Sequence, residues 1–353
     1  MENLILTFDY ELFGDGSGDV FRHMIEPTEK ILHLCEQYGI RVTIFFEALE
    51  FIKLKEEWDR GNKMGYSVNP VGAIEKQIQG AILSGHDIQL HVHPQWIKAR
   101  YTDGSWQVDN TNWSLGTFSS SEGETIKDVL LAGKRAVEAI VNPVMPQYKC
   151  KILRAGYYNI MPSAEIFSAM QELGLKADSS VYPGGFENSM VQKYDFRSVS
   201  PESGRWWAAA DDIRVGSEAE EILELPVFAL PVPVWRRLLT KSRIRSLLLR
   251  KARPLSSGAM EKLGSKTLVQ KLLYLVKREA TPWDVCMFPE SLNKKYFRYV
   301  EKRLAGIRST FVLIGHPKSL SDERVFASFL RIAFNRKKSY TFMSLDEQYG
   351  KIV

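Results

Sequence analysis

Leu6-Thr7-Phe8-Asp9-Tyr10-Glu11 is a short run in which apolar side chains at 6 and 8 alternate with Thr7, Asp9 and Glu11. This is the two-residue period of a β-strand, so Asp9 and Glu11 share a face. Two acids side by side at a strand end repel each other unless a cation, or a division of labour between base and ligand, accounts for them. A second pair with the same spacing lies in His91-Val92-His93. Carboxylate oxygens together with neutral imidazoles form the donor set of a divalent transition-metal site with room for water.

Around that run the chain alternates between two periodicities. Pro27 opens a helix that stops at Gly39, and 42–46 (Val-Thr-Ile-Phe-Phe) is an almost wholly apolar strand, as expected when both faces are covered. Helices are predicted over 73–83, 125–141, 163–173, 295–305 and 323–334, with strands over 87–93, 150–153, 176–181, 222–227, 310–314 and 340–343. Such alternation argues for a parallel sheet, closed as a barrel or open and doubly wound. In either form the chemistry gathers at the C-terminal strand ends, where Asp9, Glu11, His91, His93, Arg154, Asp178 and His316 are found. Each also has a plainer reading, as a packed histidine or a structural ion pair. Histidines 23, 33 and 86 are read as surface or structural, and Gly14–Asp19 as a polar surface loop.

These residues resemble the polysaccharide deacetylase family, carbohydrate esterase family 4, also called the NodB homology domain. Its Thr-Phe-Asp-Asp motif is similar to Thr7-Phe8-Asp9, with Tyr10 at the second aspartate and Glu11 as the replacement metal ligand. Its histidine motif resembles Gly85-His86-Asp87-Ile88-Gln89-Leu90-His91, which makes His91 a metal ligand. The second histidine would fall on Gln95, so His93 serves instead. Arg154-Ala155-Gly156-Tyr157, Asp178-Ser179-Ser180 and Leu313-Ile314-Gly315-His316-Pro317 are similar to the remaining motifs, with Gly156 where that family has proline.

The resemblance implies a distorted (β/α)7-type barrel and a metal-dependent amide hydrolase acting on an N-acetylated sugar. In that scheme Asp9 is the base and His316 the acid. Arg154 orients Asp9, Asp178 tunes His316, and Glu11, His91 and His93 hold a divalent ion, with zinc expected. Hydrolysis of another C–N bond, such as a cyclic amide, and a catalytically silent glycan-binding barrel are the alternatives.

The chain has 353 residues and 44% hydrophobic content, enough for one large α/β catalytic domain spanning 1–353. Three widely spaced cysteines suggest no disulfide framework. The absence of a signal-like start or an apolar span of roughly 18 residues points to a cytoplasmic protein. Residues 235–253 hold eight of the 47 basic residues and no acid, leaving 39 bases against 42 acids elsewhere. The net charge of +5 is therefore one local patch, within a basic and mostly helical insertion expected over 230–290. Its leucines interleave with its cations, as in a helix lying on an anionic membrane, and no recognition motif points to nucleic acid. Trp96, Trp106, Trp113, Trp206 and Trp207 are candidate stacking platforms for a sugar.

Overall fold

The computed structural model describes residues 2–119, 123–189, 192–238, 273–336 and 340–353. Seven strands run parallel: β1 (Glu2–Tyr10), β2 (Thr43–Glu47), β3 (Asp87–Val92), β4 (Ile152–Ala155), β5 (Ala177–Asp178), β6 (Ile222–Glu224) and β7 (Thr310–Gly315), with β1 to β6 each bonded to the next and β7 bonded to β1. The seam between β6 and β7 closes just beyond β6, where Val227 bridges Val312 and the Phe228 N–H donates to the Val312 carbonyl at 2.8 Å. The result is a distorted seven-stranded α/β barrel. The segment Tyr340–Phe342 pairs with Glu2–Leu4 of β1, below the stretch Thr7–Tyr10 that β2 takes up.

Helices α1 (Glu26–Gln37), α2 (Ala48–Asp59), α3 (Pro70–Leu83), α4 (Ile126–Val141), α5 (Ala164–Glu172), α6 (Glu290–Tyr299), α7 (Glu323–Phe334) and α8 (Leu345–Gly350) accompany the strands. Local chemistry sets their ends. Asn69 caps α3 ahead of Pro70, and Thr125 forms a reciprocal capping box with Asp128 on α4. Gly39, the stop expected from the sequence, and likewise Gly85 and Gly174 follow α1, α3 and α5 in the left-handed region. The helix α2 was not anticipated. It begins directly at the end of β2, capped by Glu47, whose Oε1 accepts from the Leu49 and Glu50 N–H groups at 3.2 and 3.4 Å. Glutamate is not among the preferred capping residues, and no loop separates the two elements.

Of the expected insertion, the described residues form an antiparallel ribbon of Ala229–Pro233 with Arg278–Pro282 and a short helix Val234–Leu238. Most of the basic stretch 235–253 lies outside the described residues. Among the described residues no helix is long and apolar enough to cross a membrane. Cys35, Cys150 and Cys286 are free and buried.

Candidate active site and metal centre

The outward face of β1 is fixed by packing, which forces its polar residues inward. Phe8 meets Phe326 of α7 edge-on, while Tyr10 stacks on Phe46 and donates to the Gln77 side chain of α3 at 2.9 Å. Thr7, Asp9 and Glu11 therefore point together toward the barrel axis, all buried. From β4, Arg154 donates through Nη1 to Asp9 Oδ1 at 2.7 Å and to Thr7 Oγ1 at 2.8 Å. Its Nε and Nη2 reach the Ser179 carbonyl and hydroxyl, and its plane lies over the Phe45 ring. Burial alone would raise the Asp9 carboxyl, but Arg154, then His91 and His316, outweigh it and hold the group below the usual carboxylate range. Asp9 is thus held ionised, with Oδ1 pinned by Arg154 and Oδ2 left toward His316.

Beside it four donors converge. Glu11 Oε2 lies 3.5 Å from His91 Nε2 and 3.3 Å from His93 Nδ1, and Glu47 Oε2 lies 2.7 Å from His93 Nδ1. His91 Nδ1 bonds to the Arg154 carbonyl at 2.7 Å, so this nitrogen carries a proton and Nε2 presents a lone pair to the carboxylates. Lone pairs facing lone pairs call for a proton or a cation between them. The protein alone answers with a proton: burial opposes charge on His91, yet Asp9 and Glu11 push it up to about 9. Ligands held about 2.1 Å from an ion at tetrahedral angles stand about 3.4 Å apart, so the Glu11, His91 and His93 atoms fit a divalent metal. Glu11 is steadied by Lys318, whose Nζ lies 2.7 Å from Oε1 and 2.7 Å from the Leu12 carbonyl. Burial would raise Glu11; Lys318, then His93 and His91, hold it well below the ordinary value.

The histidine substitution has a visible steric counterpart. Gln95 is fully buried and turned away, donating to the Gly14 carbonyl at 2.7 Å. The His93 ring instead lies against Gly156, where a Cβ would come within 2.4 Å of His93 Cδ2. Residues after Gly156 are also strained: Tyr157 and Tyr158 have φ of 55° and 61°. Such backbone costs of order 1–3 kcal/mol per residue and persists where surrounding contacts over-determine it. Tyr157 packs edge-on to His93 and stacks on Trp113. Its hydroxyl lies over Gly14, so the loop read as surface is packed against the site.

His316 stands across the mouth. Its Nε2 is 3.5 Å from Asp9 Oδ2 and 4.0 Å from Glu11 Oε1, and its Nδ1 faces Asp284 Oδ2 at 3.9 Å. Asp178, expected beside His316, is drawn elsewhere. Its oxygens accept from the Ser180 N–H and hydroxyl at 2.7 and 2.8 Å, and its electrostatic neighbour is the buried Glu224 of β6. Burial pushes Asp178 up to about 6 and Glu224 well above its ordinary value, with the charge of Asp178 adding to the rise at Glu224. The acid that faces His316 from outside the barrel strands is Asp284.

Beyond His316 opens a cavity of about 310 Å³, with Tyr158, Tyr182, Tyr194 and Phe288 in its walls. Ala280, Thr281 and Pro282 also line it, so one arm of the insertion's ribbon walls the site on that side. Of the candidate platforms, Trp96 and Trp106 are packed edge-to-face within the core and Trp206 is tied by its indole N–H to the Ile213 carbonyl, whereas Trp113 stacks on Tyr157 beside the site and Trp207 is half-buried.

Asp9, Glu11, His91, His93, Arg154 and His316 are brought together. Glu47, Lys318 and Asp284 join them without having been singled out from the sequence. Glu47 had a usable signal, since it ends an apolar strand one residue past Phe46, level in register with Glu11 just past the end of β1.

No family model and no curated protein matches the chain. Among solved structures it is similar to an allantoinase (11% identity, covering 98% of this chain and 88% of that one, TM-score 0.48). It is also similar to the Xyl-CE4 domain of a multidomain xylanase from the hindgut metagenome of Trinervitermes trinervoides (12%, 99% and 91%, 0.36). A third is the Bc1960 peptidoglycan N-acetylglucosamine deacetylase (16%, 51% and 57%, 0.29).

Proposed function

We propose that the protein is a metal-dependent hydrolase that removes N-acetyl groups from a sugar or glycan intermediate. The observation that carries this reading is the meeting, at one barrel mouth, of an Arg154-held carboxylate, Asp9, with the Glu11, His91 and His93 donors and with His316 opposite. A divalent ion such as zinc, held by Glu11, His91 and His93, would polarise the acetamide carbonyl and lower the pKa of a water from about 15.7 toward 7. Asp9 takes that water's proton at Oδ2 as its oxygen bonds to the acetyl carbon. The C–N bond then breaks, the departing nitrogen receives a proton from His316 Nε2, and acetate and a free amine leave. Asp9 and Asp284 flank the His316 ring, 3.5 Å from Nε2 and 3.9 Å from Nδ1. Arg154 acts through Asp9 by pinning the oxygen that is not used.

We place the substrate in surface-polysaccharide synthesis, as a lipid- or nucleotide-linked glycan. The cations and leucines of 235–253 support contact with an anionic membrane. Sedimentation with anionic vesicles checks this: protein left in the supernatant removes the membrane proposal.

The activity is tested by acetate release from N-acetylated sugars with metal-loaded protein. His316→Ala should lose about 10²- to 10⁴-fold in turnover while keeping its metal. Loss of metal together with activity contradicts its role as acid. Turnover of cyclic amides without acetate release would instead select the other C–N hydrolase.

A further inference from the structure

The metal reading uses three protein donors, but the structure presents four, and the following inference rests on that reading. We propose that Glu47 is a fourth ligand, making a centre of two histidines and two glutamates built for a six-coordinate divalent ion rather than for four-coordinate zinc.

The two glutamates are held alike. Glu11 has Oε1 anchored by Lys318 and Oε2 turned to the histidines. Glu47 has Oε1 anchored by the N-terminus of α2 and Oε2 turned to His93. Both are buried, and the four inward atoms lie within 4.8 Å of one another. The ring nitrogen turned to both glutamates is His93 Nδ1, 3.3 Å from Glu11 Oε2 and 2.7 Å from Glu47 Oε2, while Gly156 lies against the ring at Cδ2. A purely supporting role for Glu47, accepting a proton from Nδ1 while Nε2 binds metal, would leave the inward oxygen of Glu11 facing the nitrogen that does not bind.

Four protein donors fill a tetrahedral zinc site, and a catalytic zinc site keeps one position open. The same four on an ion that takes six ligands, such as Mn²⁺, Fe²⁺ or Co²⁺, leave two positions for water and a carbonyl. Donors about 2.1 Å from such an ion stand about 3.0 Å apart at right angles. The observed separations of 2.7, 3.3 and 3.5 Å straddle that value.

The test is Co²⁺ titration of chelator-stripped protein, read by visible absorption and X-ray absorption. Wild type should show the weak bands of six-coordinate Co²⁺. Glu47→Gln, whose amide oxygen can still cap α2, should bind Co²⁺ about 10- to 100-fold more weakly and shift toward the intense bands of lower coordination. Glu47→Asp, which withdraws the oxygen, should fall between the two, and metal-free melting curves confirm that each variant is folded. A wild-type spectrum in both folded variants, even with weakened affinity, is the mark of a merely supporting hydrogen bond, and either that or intense four-coordinate bands in wild type would overturn the proposal while leaving the three-ligand reading intact. A wild type that binds neither Co²⁺ nor Zn²⁺ overturns both.

Discussion

Gly156 lies where the resemblance places proline, and its missing side chain is the space that the His93 ring fills. Gly156→Ala should therefore push His93 off its neighbours, lowering Co²⁺ affinity at least tenfold while costing only about 1–3 kcal/mol of stability. Calorimetric titration beside a urea melt separates the two effects, and unchanged affinity would show that His93 is not a ligand. Arg154 is of the opposite kind, a fully buried cation paired with a buried carboxylate. Arg154→Met strands Asp9 and should cost about 3–5 kcal/mol in urea unfolding; a loss below 1 kcal/mol would mean that Asp9 is held by something else. From the sequence, Asp9, Glu11, His91 and His93 were legible because strand spacing puts each pair on one face. Glu47 was passed over despite ending an apolar strand, because what brings it to the site is a register in which it stands opposite His91 on β3.

The strands legible in the sequence were those whose apolar runs are long, such as 310–314 and 42–46. The strand predicted over 176–181 shrinks to Ala177–Asp178, because side chains take over the bonding: the Ser180 hydroxyl accepts from the Ala155 N–H and Ser179 supports Arg154. At the opposite end of β3, Asp87 accepts from Thr43 Oγ1 of β2 at 2.9 Å and from the Asp346 N–H of α8 at 3.2 Å. Burial pushes its carboxyl up to about 6 from the ordinary 3.8. Since the folded state favours the protonated form, this contribution to stability is full below pH 3.8 and is lost as pH rises through 6, by about 3 kcal/mol at most. Urea melts from pH 4 to 7 should show that decline, and Asp87→Asn should flatten it. An unchanged slope in the variant would assign the decline to Asp178 and Glu224 instead.

Across the molecule, the barrel's weak point is the seam between β6 and β7, where strand pairing thins to single bridges. Arg308, buried just before β7, compensates by donating to the carbonyls of Thr310, Pro201, Ser203 and Pro226. Burial draws its guanidinium down to about 9. Nothing in the sequence marked this arginine, because its partners are backbone groups brought together only by closure. The alternation of helices and apolar strands was enough to predict a parallel barrel or an open sheet, and the Val227–Val312 bridge selects the barrel. One measurement bears most directly on the functional claim: anomalous scattering from crystals soaked in Co²⁺. The account predicts a strong peak bounded by Glu11 Oε2, His91 Nε2 and His93 Nδ1, with Asp9 Oδ2 facing it. A map with no peak there, in crystals that show Co²⁺ bound elsewhere, would contradict it.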